Sequence, residues 1–170
     1  MGFTMHDVER GQFLDAMRGV ANSVSVVTTD GVAGRHGATV SAFCSVSADP
    51  PTVLVCLHGQ SRIARMVSDN GIFAVNVLPE GAEDIASRFA GAHDAQITDR
   101  FDGIELEIAS APGITGATVF QCEVAQEVPS ASHQVFIGRV TAIYGGGAAP
   151  LIYHSGQFSR LNSAQPERMT

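Results

Sequence analysis

Eight short runs of β-branched and apolar residues, each closed by glycine, proline or a polar turn, constrain this chain more than any other feature of its sequence. Ser23 to Thr29 (SVSVVTT) alternates and ends on Asp30-Gly31. Ala38 to Val46 follows Gly31, Gly34 and Gly37, Thr52 to Leu57 (TVLVCL) follows Pro50-Pro51, and Ile72 to Leu78 (IFAVNVL) stops at Pro79. Ile104 to Ile108, Thr118 to Val124, Val135 to Tyr144 and Leu151 to Tyr153 complete the set, with Gly145-Gly146-Gly147 and Pro150 as punctuation. Such runs are strand signals. Helical spacing is confined to three brief segments. In residues 6–21, Phe13, Leu14, Met17, Val20 and Ala21 share one face; Arg62 to Ser68 is closed by Asn70-Gly71; and Ala82 to Phe89 precedes a polar loop over 91–103. Because helices and strands do not alternate regularly, a doubly wound sheet is disfavoured, and the expected fold is mainly β with short helices, an antiparallel barrel.

What can cover such a barrel is limited. The 170 residues, 45% of them hydrophobic, suit one domain with a sizeable core; residues 1–161 read as that domain and 162–170 as a polar tail. Charged residues make up 16% against an average of about 25%, so part of the surface is expected to be covered by another subunit. The net charge of −7 disfavours a nucleic-acid partner, whose affinity would come from clustered cations. Every basic residue is arginine; the absence of lysine removes Schiff-base chemistry, pyridoxal-phosphate attachment and the P-loop lysine together. Cys44, Cys56 and Cys122 have neither disulfide-framework nor zinc-site spacing and read as small buried hydrophobes. The N-terminus lacks a secretory pattern, and no run approaches the roughly 18–20 apolar residues of a membrane span, so a cytoplasmic location without a membrane partner is expected.

Three groups of residues could carry chemistry. Thr39, Ser41, Ser45 and Ser47 stand at odd spacing, so in one continuous strand their hydroxyls share a face and can bind a polar ligand lying along it. Ser61-Arg62 opens a short helix, offering free amides and a guanidinium to a phosphate. From composition alone, a solvated strand face and a surface arginine are the commoner explanation of the same residues. Six histidines show no HxH or HExxH pairing, so no metal site is expected. His133 begins a strand after Ser130-Ala131-Ser132, which would place its imidazole at a barrel rim. GxGxxG is absent, so a nicotinamide cofactor would not be held in the Rossmann manner.

Taken in order, GATVSAFCSVSADPPTVLVCL (Gly37 to Leu57), FAVNVL (Phe73 to Leu78), RFAG (Arg88 to Gly91), SHQVFIGRV (Ser132 to Val140) and PLIYHSGQF (Pro150 to Phe158) resemble the flavin reductase-like domain, the small reductase component of two-component flavin-dependent monooxygenases. The resemblance spans about residues 10–161. It implies an FMN-binding split β-barrel, a homodimer, reduction of FMN or FAD by NADH or NADPH, and a separate oxygenase that receives the reduced flavin. Carried over block by block, it implies that Thr39, Val40 and Ser41 line the isoalloxazine and Ser45, Val46 and Ser47 the ribityl chain and phosphate. Ser61 and Arg62 then add phosphate contacts, Phe89 packs near the flavin, and His133 stands near the nicotinamide as an orienting group. Two positions depart from the family pattern: Ala82 stands where a glutamine is usual, and Ser132 where an acidic residue commonly precedes the histidine. A non-catalytic flavin-binding module and an oxidoreductase that keeps FMN tightly bound are the alternative readings on the same barrel.

Overall fold

The computed structural model describes residues 8–107 and 109–162. Its first element is α1 (Arg10–Arg18), followed by β1 (Asn22–Ser23), β2 (Ser25–Thr29), β3 (His36–Val40), β4 (Phe43–Ala48) and β5 (Pro51–His58). Then come α2 (Arg62–Asn70), β6 (Ile72–Val77), α3 (Glu83–Phe89), β7 (Leu106–Glu107) and β8 (Gly113–Ile114). The long hairpin β9 (Thr118–Ser130) and β10 (His133–Tyr144) precedes β11 (Ile152–His154) and β12 (Gln157–Ser159). Among the described residues no helix is long and apolar enough to cross a membrane.

Seven strands form one antiparallel sheet in the order β3-β2-β6-β9-β10-β5-β4. Its two edges, β3 and β4, are consecutive in the chain, so the sheet must curl for the Ser41-Ala42 corner to join them. There the Cys56 N–H donates to the Ala42 carbonyl over 3.1 Å, which carries the β4–β5 pairing up to the corner. This is a barrel split along one seam, the mainly β architecture expected from the sequence.

β6 shows why the barrel has cores on both sides. Phe73 and Val75 point inward to meet Val27, Val55, Phe136 and the apolar face of α2, whereas Ala74 and Leu78 point outward beneath α3, Phe101 and Ile114. A strand covered on both faces reads as a near-continuous apolar run. The polar exception is Asn76, fully buried, which donates to the Val26 carbonyl (3.0 Å) and Thr28 Oγ1 (3.1 Å) and accepts from the Ile114 N–H (2.7 Å). It thereby pins the 109–117 segment to the outer face. Gln121 repeats the device, accepting from the Ala111 N–H and donating to the Ala111 carbonyl and to Tyr144 Oη. Each group left unpaired there would cost about 1–3 kcal/mol.

Local signals set the ends of α2. Ser61 is its N-cap, its Oγ accepting from the Ala64 N–H (3.3 Å), a bond worth about 1 kcal/mol. Gly71 closes it at φ 69°, a left-handed conformation that glycine adopts without penalty.

Five sequence expectations need correction. Of the three cysteines expected to be buried hydrophobes, only Cys122 is buried; Cys56 is half-buried and Cys44 is exposed on β4. The run Ala38 to Val46 is not one strand: the chain turns at Ser41-Ala42 and moves from one sheet edge to the other. β9 continues past Val124 to Ser130, because its exposed second half is held by pairing to β10 rather than by burial. β8 and β12 were not expected as strands, and the 104–108 run narrows to Leu106–Glu107, with Ile108 outside the described residues. The first helix spans Arg10–Arg18 rather than 6–21, whose first two residues lie outside the described residues, and none of its side chains is buried.

Candidate functional site

The β3–β4 corner, α3 and the β11–β12 hairpin enclose a mainly apolar groove. Thr39, Val40 and Ser41 form one wall, the segment from Ala86 to Ala92 a second, and Tyr153, Gly156 and Phe158 a third. Its volume of about 650 Å³ lies within the range of roughly 300–1,000 Å³ usual for ligand clefts. The walls are close because residue 37 is glycine: a Cβ there would stand 2.7 Å from the Phe89 ring, so any larger residue would push α3 away from β3. Thr39 Oγ1 donates to the Ala86 carbonyl over 2.7 Å and braces the same contact.

A second, polar cavity of about 660 Å³ lies over the start of α2, lined by Arg35, His36, Arg62, Asp94, Asp99 and Arg100 among others. The 90–101 segment walls both cavities and is keyed to β3 through Arg100, which donates to the Gly37 and Phe89 carbonyls (3.0 and 2.9 Å) and pairs with Asp94 (2.6 Å). Arg35 pairs with Asp99 (2.6 Å). Arg62 has no ion pair among the described residues, so its charge is available to an anion. Burial, and after it the charges of Arg100 and Arg62, hold the His36 pKa down at about 4, so the imidazole is neutral at pH 7. The hydrogen bond from Arg100 holds the Asp94 carboxyl below its ordinary range, and the Phe101 N–H does the same for Asp99.

The residues singled out from sequence divide between several places. Thr39, Val40 and Ser41 do line the groove, but their contributions differ from a row of free hydroxyls. The Thr39 hydroxyl is already donating, leaving its lone pairs to a ligand, and the Val40 side chain packs on the interior core. Ser45, Val46 and Ser47 are exposed on the β4 edge and line neither cavity. A bulge at Val46 sets Ser45 opposite Val53 and Ser47 opposite Thr52, neighbours on opposite faces of β5, so the shared hydroxyl face does not exist. Ser47 instead bonds its own turn at Asp49.

Ser61 is occupied as the α2 cap, while Arg62 faces the polar cavity. Phe89 is fully buried, edge-on to Phe101 with ring centroids 5.0 Å apart, and so backs the groove wall without surface to offer a ligand. His133 is exposed at the start of β10, outside both cavities, with Ser132 Oγ 3.0 Å from its Nδ1. Ala82, the first departure from the family pattern, is the buried N-cap position of α3 and packs in the outer core.

The aromatic surface expected of Phe89 is supplied by Tyr153 and Phe158. They pair across β11 and β12 with ring centroids 5.6 Å apart and remain 42% and 36% exposed beside the groove. Their signal in the sequence is two aromatics flanking the Ser155-Gly156 turn at hairpin spacing. An apolar groove with an aromatic side suits a planar heteroaromatic ring, and the arginine-lined cavity on the other side of the 90–101 segment suits an anionic group such as a phosphate.

Comparison with known proteins agrees. The profile of the flavin reductase like domain matches residues 17–162. The FMN reductase (NADH) RutF of Pseudomonas syringae pv. syringae is 36% identical over 162 residues, covering 91% of this chain and 88% of that protein. Among solved structures, the NADH:FAD oxidoreductase SgcE6 of Streptomyces globisporus C-1027, in complex with NAD and FAD fragments, superposes with a TM-score of 0.84 at 27% identity, covering 92% of this chain and 95% of that one. The styrene monooxygenase flavin reductase SMOB of Pseudomonas putida S12 gives 0.78 at 30% identity, covering 88% and 97%. With the profile spanning most of its length and the groove built from the same blocks, the chain belongs to the flavin reductase like domain family.

Proposed function

We propose that this protein is an NADH-dependent flavin reductase that binds FMN, or FAD, in the groove and releases it reduced to a separate oxygenase. The observation that carries this reading is the apolar, aromatic-sided groove, with its volume of about 650 Å³, flanked across the 90–101 segment by the cavity into which Arg62 faces. The relatives' names point the same way: RutF is an FMN reductase using NADH, and SMOB is the reductase of a styrene monooxygenase.

When bound, the flavin supplies the two-electron acceptor chemistry. The chain's own residues have only to bind and position. The β3–β4 corner and the Tyr153–Phe158 pair exclude water from the ring, Arg62 holds the phosphate by charge, and His133 orients the nicotinamide. Positioning is the large effect, because fixing two rings face to face replaces a bimolecular encounter with an intramolecular one. None of these residues is required as an acid or base.

Release sets a bound on affinity. With association near about 10⁶ M⁻¹s⁻¹, a turnover of about 10 s⁻¹ requires a dissociation constant of roughly 10 μM. One free arginine and an open groove suit such weak binding.

The working form is a homodimer. Phe13 and Met17 on α1 and Val20 just after it are 56%, 44% and 46% exposed, Tyr153 lies beside Met17 and Val20, and β4 leaves one edge unpaired; a second copy would cover these surfaces.

The test is oxidation of NADH and NADPH by the purified protein with FMN, FAD or no added flavin, coupled to reduction of cytochrome c as a trap for released flavin. NADH oxidation that depends on added flavin, with the trap reduced, is expected. Activity independent of added flavin after dialysis would overturn the diffusible-product reading, and no oxidation under any condition would overturn the enzyme reading.

A further inference from the structure

The wall that divides the apolar groove from the polar cavity is held by one guanidinium. Arg100, largely buried, commits four of its five N–H groups: Nε and Nη2 donate to the two carboxylate oxygens of Asp94 (2.9 and 2.6 Å), and Nη1 donates to the carbonyls of Gly37 (3.0 Å) and Phe89 (2.9 Å). Phe89 closes α3, where carbonyls lack intrahelical partners and a cation is favoured. Gly37 stands on β3, two residues before Thr39 in the facing wall of the groove. One planar group thus staples the end of α3 to β3.

Gly91 shows how closely this staple backs the groove. It lines the groove, and a Cβ there would stand 3.0 Å from Arg100 Nη2 and 3.1 Å from Asp94 Oδ2. The ion pair therefore packs directly on the backbone of the wall. A rigid fork is required here, because a guanidinium reaches the carboxylate and both carbonyls at once, whereas an ammonium offers three donors around a single point. Arg62 differs in kind: it has no ion pair among the described residues and meets the cavity as a charge.

We propose that Arg100, braced by Asp94, is the positioning residue that sets the width of the groove and with it the seat of the flavin ring. Resting on the reading of the groove as the flavin site, it acts on the ring through the 90–92 wall and leaves the phosphate to Arg62.

Arg100→Lys tests this by keeping the charge and removing the fork. Fluorescence titration should show riboflavin and FMN weakened by the same factor, roughly 2- to 30-fold, so that their ratio stays at the wild-type value; a lost phosphate contact would weaken FMN alone. Asp94→Asn alters a side chain that is half exposed, and it decides the matter where Arg100→Lys does not fold. It should weaken riboflavin likewise but FMN less, because the cavity gains positive charge. In the flavin-free variants the Ala90, Gly91 and Ala92 amides, bonded to the Ala86, Arg88 and Ser87 carbonyls, should exchange hydrogen faster than in the wild type, whereas those of the β9–β10 ladder should not. Unchanged riboflavin affinity, a loss confined to FMN in Arg100→Lys, or exchange quickened alike throughout the chain overturns the proposal. Wild-type protein that binds neither flavin, with exchange still quickened only at the wall in the variants, would uphold the brace and overturn the flavin reading.

Discussion

Replacing Arg62 by alanine tests the polar cavity most directly. Arg35 and Arg100 each spend charge on Asp99 and Asp94, whereas Arg62 has no such partner among the described residues, so its removal deletes a cation without freeing a carboxylate. A hydrogen bond to a charged group is worth about 1.5–3 kcal/mol, so FMN affinity should fall roughly 10- to 150-fold. Riboflavin, which lacks the phosphate, should lose almost nothing. Fluorescence titration of both flavins reads the difference, and rising salt should narrow it by screening the phosphate contact.

The same variant carries an internal control in His36. The Arg62 charge is one cause of its pKa near 4, behind burial and Arg100, so Arg62→Ala should move His36 part of the way back towards 6.5 in an NMR titration. In the wild type, FMN should raise it and riboflavin should not. Equal loss of affinity for the two flavins, or a His36 that ignores Arg62, would refute the placement of phosphate here.

Gly37→Ala should destabilise the fold by about 1–3 kcal/mol, since its Cβ would meet the Phe89 ring at 2.7 Å; an unchanged urea midpoint would refute that contact. His36 also gives stability a pH dependence. Its folded pKa lies below the ordinary 6.5, so between those values the unfolded chain binds more protons, and stability should fall as pH drops from about 6.5 to about 4. His36→Gln should flatten that limb of a thermal-melting profile, leaving the loss from Asp94 and Asp99, whose pKa values are lowered from 3.8, to more acid conditions. Light scattering should give a dimer, burying roughly 2,000 Å² or more if obligate, with flavin affinity declining together with dimer content on dilution; a fully active monomer would remove the claim.

The strands were legible wherever side-chain chemistry and backbone shape agreed. IFAVNVL is apolar on both faces because both faces are covered, and its single polar residue, Asn76, marks the place where a loop is tied down. The break at Ser41-Ala42 was not legible. ATVSAFCSV has strand propensity throughout, and what interrupts it is closure of a sheet whose other strands lie far away in sequence. Likewise the outer half of β9 is polar, and its conformation comes from β10 across the hairpin rather than from its own pattern.

The site was legible as a set of blocks and illegible as a surface. Motif order identified the segments that meet, but it could not say which atoms they present, because burial and register decide that. Phe89 and Phe158 are both aromatic residues of those blocks. Phe89 fills the core against Gly37 because its side of α3 packs on β3, whereas Phe158, on the β11–β12 hairpin, stays 36% exposed beside the groove. His58 and His133 make the same point from the other direction. They are remote along the chain, yet pairing of β5 with β10 sets their rings 5.6 Å apart, a relation that exists only once the ladder has formed.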